Sequence, residues 1–236
     1  MTYIRLFFQE SLSLNLSSKL DKSQSHYVNK VMRIKPNENF SLFNSSGEWQ
    51  VKISGVSKGI VEFIVTKHLR SKENPNEFWL AFSPIKSNYF NFMIQKSTEL
   101  GVTKFIPVVS DRTVVRKINI ERLNKIIIES CEQSNRIVIP IVEKLISLSD
   151  FLNKYKELDI VFGDLNSDNS NLNTKKFNLK KPVCLLIGPE GDYTEQERLK
   201  INKLKYIQNL KINKNILRSE TAAISALSII SFNLNL

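Results

Sequence analysis

The chain has 236 residues, 42% of them hydrophobic, with 34 Lys+Arg against 23 Asp+Glu and a formal net charge of +11. This length fits one large or two modest domains, and the apolar content suffices for a packed core, which excludes wholesale disorder. No apolar run approaches the ~20 residues of a membrane helix, and the apolar start is short and broken by Arg5, so no leader peptide, no membrane contact and a cytoplasmic location are expected.

The charge is not confined to a tail. Residues 1–74 hold 11 basic against 6 acidic side chains, and the remainder holds 23 against 17. Both parts are therefore suited to an anionic partner such as a nucleic acid. Cys131 and Cys184 lie in or beside apolar runs and read as buried free thiols of a reducing compartment. No CxxC pair or Cys/His cluster is present, so no metal is expected.

In chain order, residues 1–72 read as a small β domain. Short strands are predicted at Tyr3–Phe8, Phe40–Phe43, Trp49–Ile53 and Val61–Thr66, separated by turn residues at 44–47 and 57–59. One helix, Lys22–Val31, starts near Asp21 or Ser23. His68 to Glu77 is polar, carries Pro75 and reads as a linker, with a domain boundary near residue 74.

From residue 75 the pattern alternates between strands and helices. Strands are predicted at Phe78–Ser83, Lys104–Val109, Val138–Val142, Asp159–Phe162 and Val183–Ile187. Between them lie helices at Ser87–Leu100, with Phe90, Met93, Ile94, Ser97 and Leu100 near one face and Gly101 behind it, and at Asn119–Arg136, with Leu123, Ile126, Ile127 and Cys131 inward. Such alternation predicts an α/β fold, a parallel sheet with helices on both faces. Asn166–Lys181 is Asn-rich and reads as an exposed loop.

The apolar run Val183–Ile187 is followed at once by Gly188-Pro189-Glu190-Gly191, which ends a strand. Thr194 with Glu197 three residues on is a capping box that starts a helix. A strand, a tight glycine loop and a helix are the usual parts of a ligand site at the carboxyl edge of an α/β sheet. A second stretch, Ile216-Leu217-Arg218-Ser219-Glu220-Thr221-Ala222-Ala223, starts a small-residue helix, with Ser219 as expected N-cap and Glu220 in the first turn.

Further blocks are Arg5-Leu6-Phe7-Phe8, the His26–Arg33 segment, Lys86 with Gln95-Lys96-Ser97-Thr98-Glu99-Leu100-Gly101-Val102, Arg112-Thr113-Val114-Val115, and Glu129–Arg136. In these blocks and their order the chain resembles, over nearly its whole length, the bacterial small-subunit rRNA uridine-N3 methyltransferases of the SPOUT superfamily. The resemblance implies a PUA-like RNA-binding small β-barrel over residues 1–72 and a SPOUT methyltransferase domain over 75–236 with a carboxyl-terminal trefoil knot. It implies S-adenosylmethionine as cofactor, N3 of a uridine in 16S rRNA of the small ribosomal subunit as acceptor, and a homodimer packed through the knot.

Carried over residue by residue, the implied cofactor-binding set is Phe162, Gly163, Leu186, Ile187, Gly188, Pro189, Glu190, Gly191, Ile216, Leu217, Arg218, Thr221 and Ala222. Arg218 suits the stabilisation of charge on the deprotonated base, and Glu190 or Glu220 the acceptance of its proton. Arg5, Arg33, Lys86, Lys96, Arg112, Arg116 and Arg136 are the expected RNA contacts. Two positions depart from the family pattern. Asp192 replaces the last glycine of GPEGG, and Asn213 stands where a glycine usually precedes ILR; Asn213 is expected to take left-handed backbone angles. Two alternatives stay open: a SPOUT enzyme acting on ribose 2′-oxygens, and a non-catalytic RNA-binding protein. A nucleotide-dependent enzyme fails for want of GxxxxGK[ST] or GxGxxG.

Overall fold

The computed structural model describes residues 4–72, 74–178 and 180–235. The chain divides into two compact units, one of Met1–Asn74 with Cys131–Ile139 and the other of Pro75–Ser130 with Pro140–Leu236. Residues 131–139, expected in the second domain, thus group with the first.

The first unit is built on five strands, β1 (Arg5–Phe7), β2 (Ser17–Lys19), β3 (Asn39–Asn44), β4 (Gly47–Ser57) and β5 (Ile60–Arg70), in the order β1-β3-β4-β5-β2. β1 runs parallel to β3, and the other pairs are antiparallel. Among the described residues no ladder joins β1 to β2, so the expected barrel is an open one. β4 and β5 are long, not short: the turn at Lys58-Gly59 has positive φ at both residues, the geometry of a two-residue hairpin, and pairing runs on to Arg70, into the first residues of the expected linker. Val61, Phe63 and Val65 point inward and alternate with exposed Glu62, Ile64 and Thr66. They close a core with Leu6, Phe8, Leu20, Val28, Phe40 and Leu42. Helix α1 (Lys22–His26) is capped by Asp21, whose side chain accepts from the Gln24 N–H, and continues as a π-helical turn, Tyr27–Val31.

Arg5 is the pin of this unit. Its side chain is 7% exposed and its Nε lies 3.0 Å from Glu48 Oε1. Its Nη atoms donate to the carbonyls of Cys131, Glu132 and Arg136, and its guanidinium lies over the Phe43 ring. The guanidinium fork is thereby spent on internal acceptors, which corrects the expectation that Arg5 contacts phosphate. His26, at the end of α1, is exposed.

The second unit holds β6 (Phe78–Phe82), β7 (Lys104–Val109), β8 (Ile141–Val142), β9 (Ile146–Ser147), β10 (Asp159–Gly163), β11 (Val183–Ile187) and β12 (Ile207–Leu210). They form one parallel sheet in the order β12-β10-β11-β6-β7-β8, with β9 also on β7. β6 and β11 are central and buried throughout, as strands covered on both faces should be. On one face Trp79, Ala81, Ile106, Phe162, Cys184 and Leu186 pack against α4 (Leu148–Lys154) and against Ile201 of α5 (Glu195–Asn202). On the other, α2 (Ser87–Glu99) and α6 (Ser219–Leu234) pack on each other, with Phe90 of α2 against Phe82 and α6 against β11. The remaining helix is α3 (Ile120–Gln133), with Leu123 and Ile127 buried; its residues from Cys131 on are counted with the first unit.

The expected strand at 138–142 shrinks to β8, because Pro140 has no N–H to give a ladder. β9, α4 and β12 were not anticipated. The Asn-rich loop after β10 is fastened to the edge strand β12: Lys211 N donates to Asn169 O at 2.7 Å, Asn169 Nδ2 to Asn209 O at 2.9 Å and Asn173 N to Gln208 Oε1 at 3.1 Å. It covers the sheet edge that would otherwise offer an open ladder.

Candidate functional site

Strand order places the carboxyl ends of β10, β11 and β12 side by side, and a cavity of about 340 Å³ opens there. That volume lies within the ~300–1,000 Å³ of small-molecule sites. Three loops wall it: Gly163, Asp164 and Leu165 after β10; Ile187 to Glu190 with Asp192 after β11; and Leu210 to Asn213 with Asn215 to Arg218 after β12. Ser219 and Ala222 at the start of α6 close it.

The β11 loop is held from several sides. Asp192 N donates to Pro189 O at 3.0 Å, and Asp192 itself takes φ +57°. Asp is one of the non-glycine residues that tolerates this region. The left-handed residue is therefore Asp192, where the family pattern has glycine, and not Asn213, which instead accepts from the Asn215 N–H with its side chain. Ser219 does not cap α6; the N-cap is Arg218, and the Ser219 hydroxyl donates to Gly188 O at 3.1 Å. This bond ties the two motif stretches together. The expected capping box is present: Thr194 and Glu197 bond reciprocally at the start of α5.

Gly188 is required by Tyr193. A Cβ at 188 would meet Tyr193 Cε2 at 2.9 Å. Tyr193 is buried, packs edge-on against Phe162 and has its hydroxyl pKa raised by that burial. A Cβ at Gly163 would meet Ile187 Cδ1 at 2.7 Å and Ile212 Cδ1 at 3.2 Å, both cavity-wall residues.

Of the expected cofactor set, Gly163, Ile187, Gly188, Pro189, Glu190, Ile216, Leu217, Arg218 and Ala222 line the cavity. Phe162 and Leu186 do not; both are fully buried in the core. Gly191 and Thr221 are exposed and stand outside the lining. Glu190 is exposed at the rim, whereas Glu220 is buried and does not line the cavity. Arg218 is exposed, with its guanidinium 5.1 Å from the Tyr89 ring centroid.

Sequence reasoning missed Asp164, Leu165, Leu210, Lys211, Ile212 and Asn215 as wall residues. The residues just after β10 carried a usable signal, since ligands gather at strand carboxyl ends; those after β12 did not, because β12 itself went unseen. Asp164 is buried and paired with Arg198, Oδ1 to Nη2 at 2.9 Å, and accepts from Asn209 Nδ2.

Among the expected RNA contacts, Arg33 is exposed in the first unit with φ +55°. Arg136, in the same unit, is half-buried. In the second unit Lys86, Arg112 and Arg116 are exposed, and Lys96 is half-buried in an ion pair with Glu99 at 2.8 Å. Arg112 Nη1 donates to Gly191 O at 2.9 Å, and Arg116 Nη2 to Asp111 O at 3.2 Å. Among the described residues no cluster of metal-ligating side chains occurs, and no helix is long and apolar enough to cross a membrane.

The cavity has apolar walls from Leu165, Ile187, Leu210 and Ile212, and carries both signs of charge, Glu190 and Asp192 against Lys211 and Arg218. Comparison with known proteins places the chain in a family. The family model of an RNA methyltransferase PUA domain matches residues 20–66, and that of an RNA methyltransferase domain matches residues 72–231. The ribosomal RNA small subunit methyltransferase E of Rickettsia conorii is 32% identical over 231 residues, covering 97% of this chain and 95% of its own. That of Bacillus subtilis is 30% identical, over 89% and 88% of the two chains. The crystal structure of the Neisseria gonorrhoeae ribosomal RNA small subunit methyltransferase E bound to S-adenosyl methionine superposes with a TM-score of 0.87 at 29% identity, covering 98% of each chain. A Legionella pneumophila putative methyltransferase in complex with the same cofactor gives 0.86 at 27% identity, covering 99% of this chain and 98% of its own. By the match of its RNA methyltransferase domain and by these relatives, the chain belongs to the ribosomal RNA small subunit methyltransferase E family.

Proposed function

We propose that the chain binds S-adenosylmethionine in the cavity at the ends of β10, β11 and β12 and methylates N3 of a uridine in 16S rRNA. The observation that carries this reading is that the Gly188 loop and the Ile216–Ala222 stretch, distant in sequence, wall one cavity. When bound, the cofactor supplies an electrophilic methyl group on a sulfonium cation. The protein's own part is to hold, align and deprotonate. The Gly188 loop, fixed by Ser219 and by the Asp192 turn, presents a rigid wall. Loss of the uridine N3 proton leaves negative charge on N3 and both carbonyl oxygens; that anion would then take the methyl group as the carbon–sulfur bond breaks and the sulfur leaves as a neutral thioether. Arg218, kept near the rim by Tyr89, is suited to stabilise that charge. Glu190 at the rim is better placed than buried Glu220 to take the proton. N3 is paired in duplex RNA, so the base must be unpaired or turned out.

The first unit serves as the PUA-like RNA grip, with Arg33 as its phosphate contact, and the residues from 75 on, less 131–139, form the SPOUT domain. The knot belongs to this reading. Insertion of β11 between β10 and β6, with α6 returning onto β11 and α2, supports it; tracing the chain of a crystal structure tests it. A homodimer also belongs to it. The small residues of α6 do not need a partner to cover them, because Ala223, Ala226, Leu227 and Ile230 are already buried. Support comes instead from exposed aromatics on the paired helices, Phe92 of α2 and Phe232 of α6, the latter 85% exposed. Sedimentation as a stable monomer would remove the dimer. The site of action is the cytoplasm, where ribosomal subunits are found.

The function is tested by incubating the protein with labelled S-adenosylmethionine and unmodified small subunits, then mapping the methylated nucleotide. A methyl group on uridine N3 is expected. A ribose 2′-O-methyl group, or no incorporation, sinks the assignment.

A further inference from the structure

Arg112 stands where two tasks meet. It lies just after β7, and its side chain is exposed. Its Nη1 holds the Gly191 carbonyl at 2.9 Å, and its Cβ and Cδ line the space that a side chain at 191 would enter. One residue earlier, the Asp111 N–H donates at 2.8 Å to Oε1 of Glu197, whose other oxygen closes the α5 capping box. The segment from Gly191 to Glu197 is therefore fastened at both ends to the loop after β7. Gly191 directly follows Glu190 on the cavity wall. A guanidinium carries five N–H donors in a rigid fork, so one nitrogen on Gly191 O leaves the rest of the fork for a phosphate.

We infer that Arg112 is a positioning residue through which an RNA phosphate and the cofactor loop bind cooperatively. This rests on the proposed function, since it takes the cavity as the cofactor site and RNA as substrate. A phosphate that orders the Arg112 side chain also orders the carbonyl that side chain holds. The ordering entropy is then met once for two ligands, and by linkage each ligand strengthens the other.

Equilibrium dialysis of labelled S-adenosylhomocysteine, the demethylated cofactor that cannot react, against the whole protein, with and without unmodified small ribosomal subunits, tests it. In the wild type, subunits are expected to raise cofactor affinity by about fivefold or more, the range of linked sites. Arg112→Ala abolishes this enhancement and weakens cofactor binding even without RNA. Arg112→Lys, which keeps the charge and a donor, restores part of both. Lys117→Ala, which removes a neighbouring exposed charge on the same loop, weakens subunit binding but leaves the enhancement. A wild type that binds both ligands without enhancement overturns the inference, as does an Arg112→Ala variant that loses RNA affinity while keeping the enhancement. A wild type that binds no cofactor overturns the proposed function instead, so the two failures are told apart.

Discussion

Gly163 shows how a single hydrogen atom in place of a methyl group shapes the cavity. A Cβ there would collide with Ile187 Cδ1 and Ile212 Cδ1, the free ends of two wall residues. The fold can absorb this by moving those ends, which line the cavity. Overpacking costs about 1–3 kcal/mol, and here it falls on the ligand, so Gly163→Ala should lower S-adenosylmethionine affinity by about tenfold. Calorimetry alongside thermal melting checks this; a lost melting transition would show collapse, and unchanged affinity would remove the cavity as the site. Gly188→Val, which the motif alone marks as a block to the ligand, should behave differently, because its Cβ drives into the buried Tyr193 ring and so disturbs the fold. The two acids also separate. Glu190→Gln should lower kcat by about 10²–10⁴-fold, the size of a lost general base, and shift the pH–rate profile. Glu220→Gln should act on stability. Equal profiles for Glu190→Gln and wild type would exclude Glu190 as the base.

At the scale of elements, Arg5, Glu48 and Arg70 bind β1, β4 and β5 to the 131–139 segment. Burial alone would raise the Glu48 carboxyl, but hydrogen bonds from Arg5, Ser41 and Arg70 hold it below the ordinary value. A depressed carboxyl contributes stability that is present above its unfolded pKa and lost as pH falls through the folded one. Denaturant midpoints should therefore fall as pH drops below about 4, and Glu48→Gln should flatten that limb. Arg5→Ala removes one of three donors to a buried carboxylate, which Arg70 and Ser41 still hold, together with the side-chain donor to three carbonyls, and should cost about 1–3 kcal/mol. An Arg5→Ala protein as stable as wild type would contradict this. The same cluster marks where sequence reading stops. Val183–Ile187 and the Thr194–Glu197 box were legible because each is a local signal. The bonds from Arg5 to residues more than 120 positions away leave no local trace. β12, Ile-Gln-Asn-Leu, is a half-buried edge strand whose Gln208 side chain and Asn209 carbonyl bond the Asn-rich loop, so it shows neither alternation nor an apolar run. α4 did carry a start signal, Ser147 accepting from the Asp150 N–H, but at seven residues it is too short for a helical period.

For the whole molecule, the net charge of +11 must be separated into charges that can meet RNA and charges used within the fold. Arg5 and Arg33 look alike in sequence and were expected to act alike. The structure divides them: Arg5 is spent on Glu48 and three carbonyls, whereas Arg33 is exposed. Each phosphate contact adds roughly 0.7–0.9 to the slope of log affinity against log salt, because counterions are released. Arg33→Ala should thus lower that slope by roughly one such step and weaken binding of 16S rRNA, with cofactor affinity unchanged. Arg5→Ala should leave the slope of the folded fraction as it is and show its effect in melting. Titration of RNA at several salt concentrations, with thermal melts on the same samples, measures both. The test must use the full chain, because a cut near residue 74 would strip 131–139 from the unit that Arg5 holds together. If Arg33→Ala kept the wild-type slope, or Arg5→Ala lost slope while melting normally, the division would be wrong and the RNA grip would have to be sought among Lys86, Arg112 and Arg116.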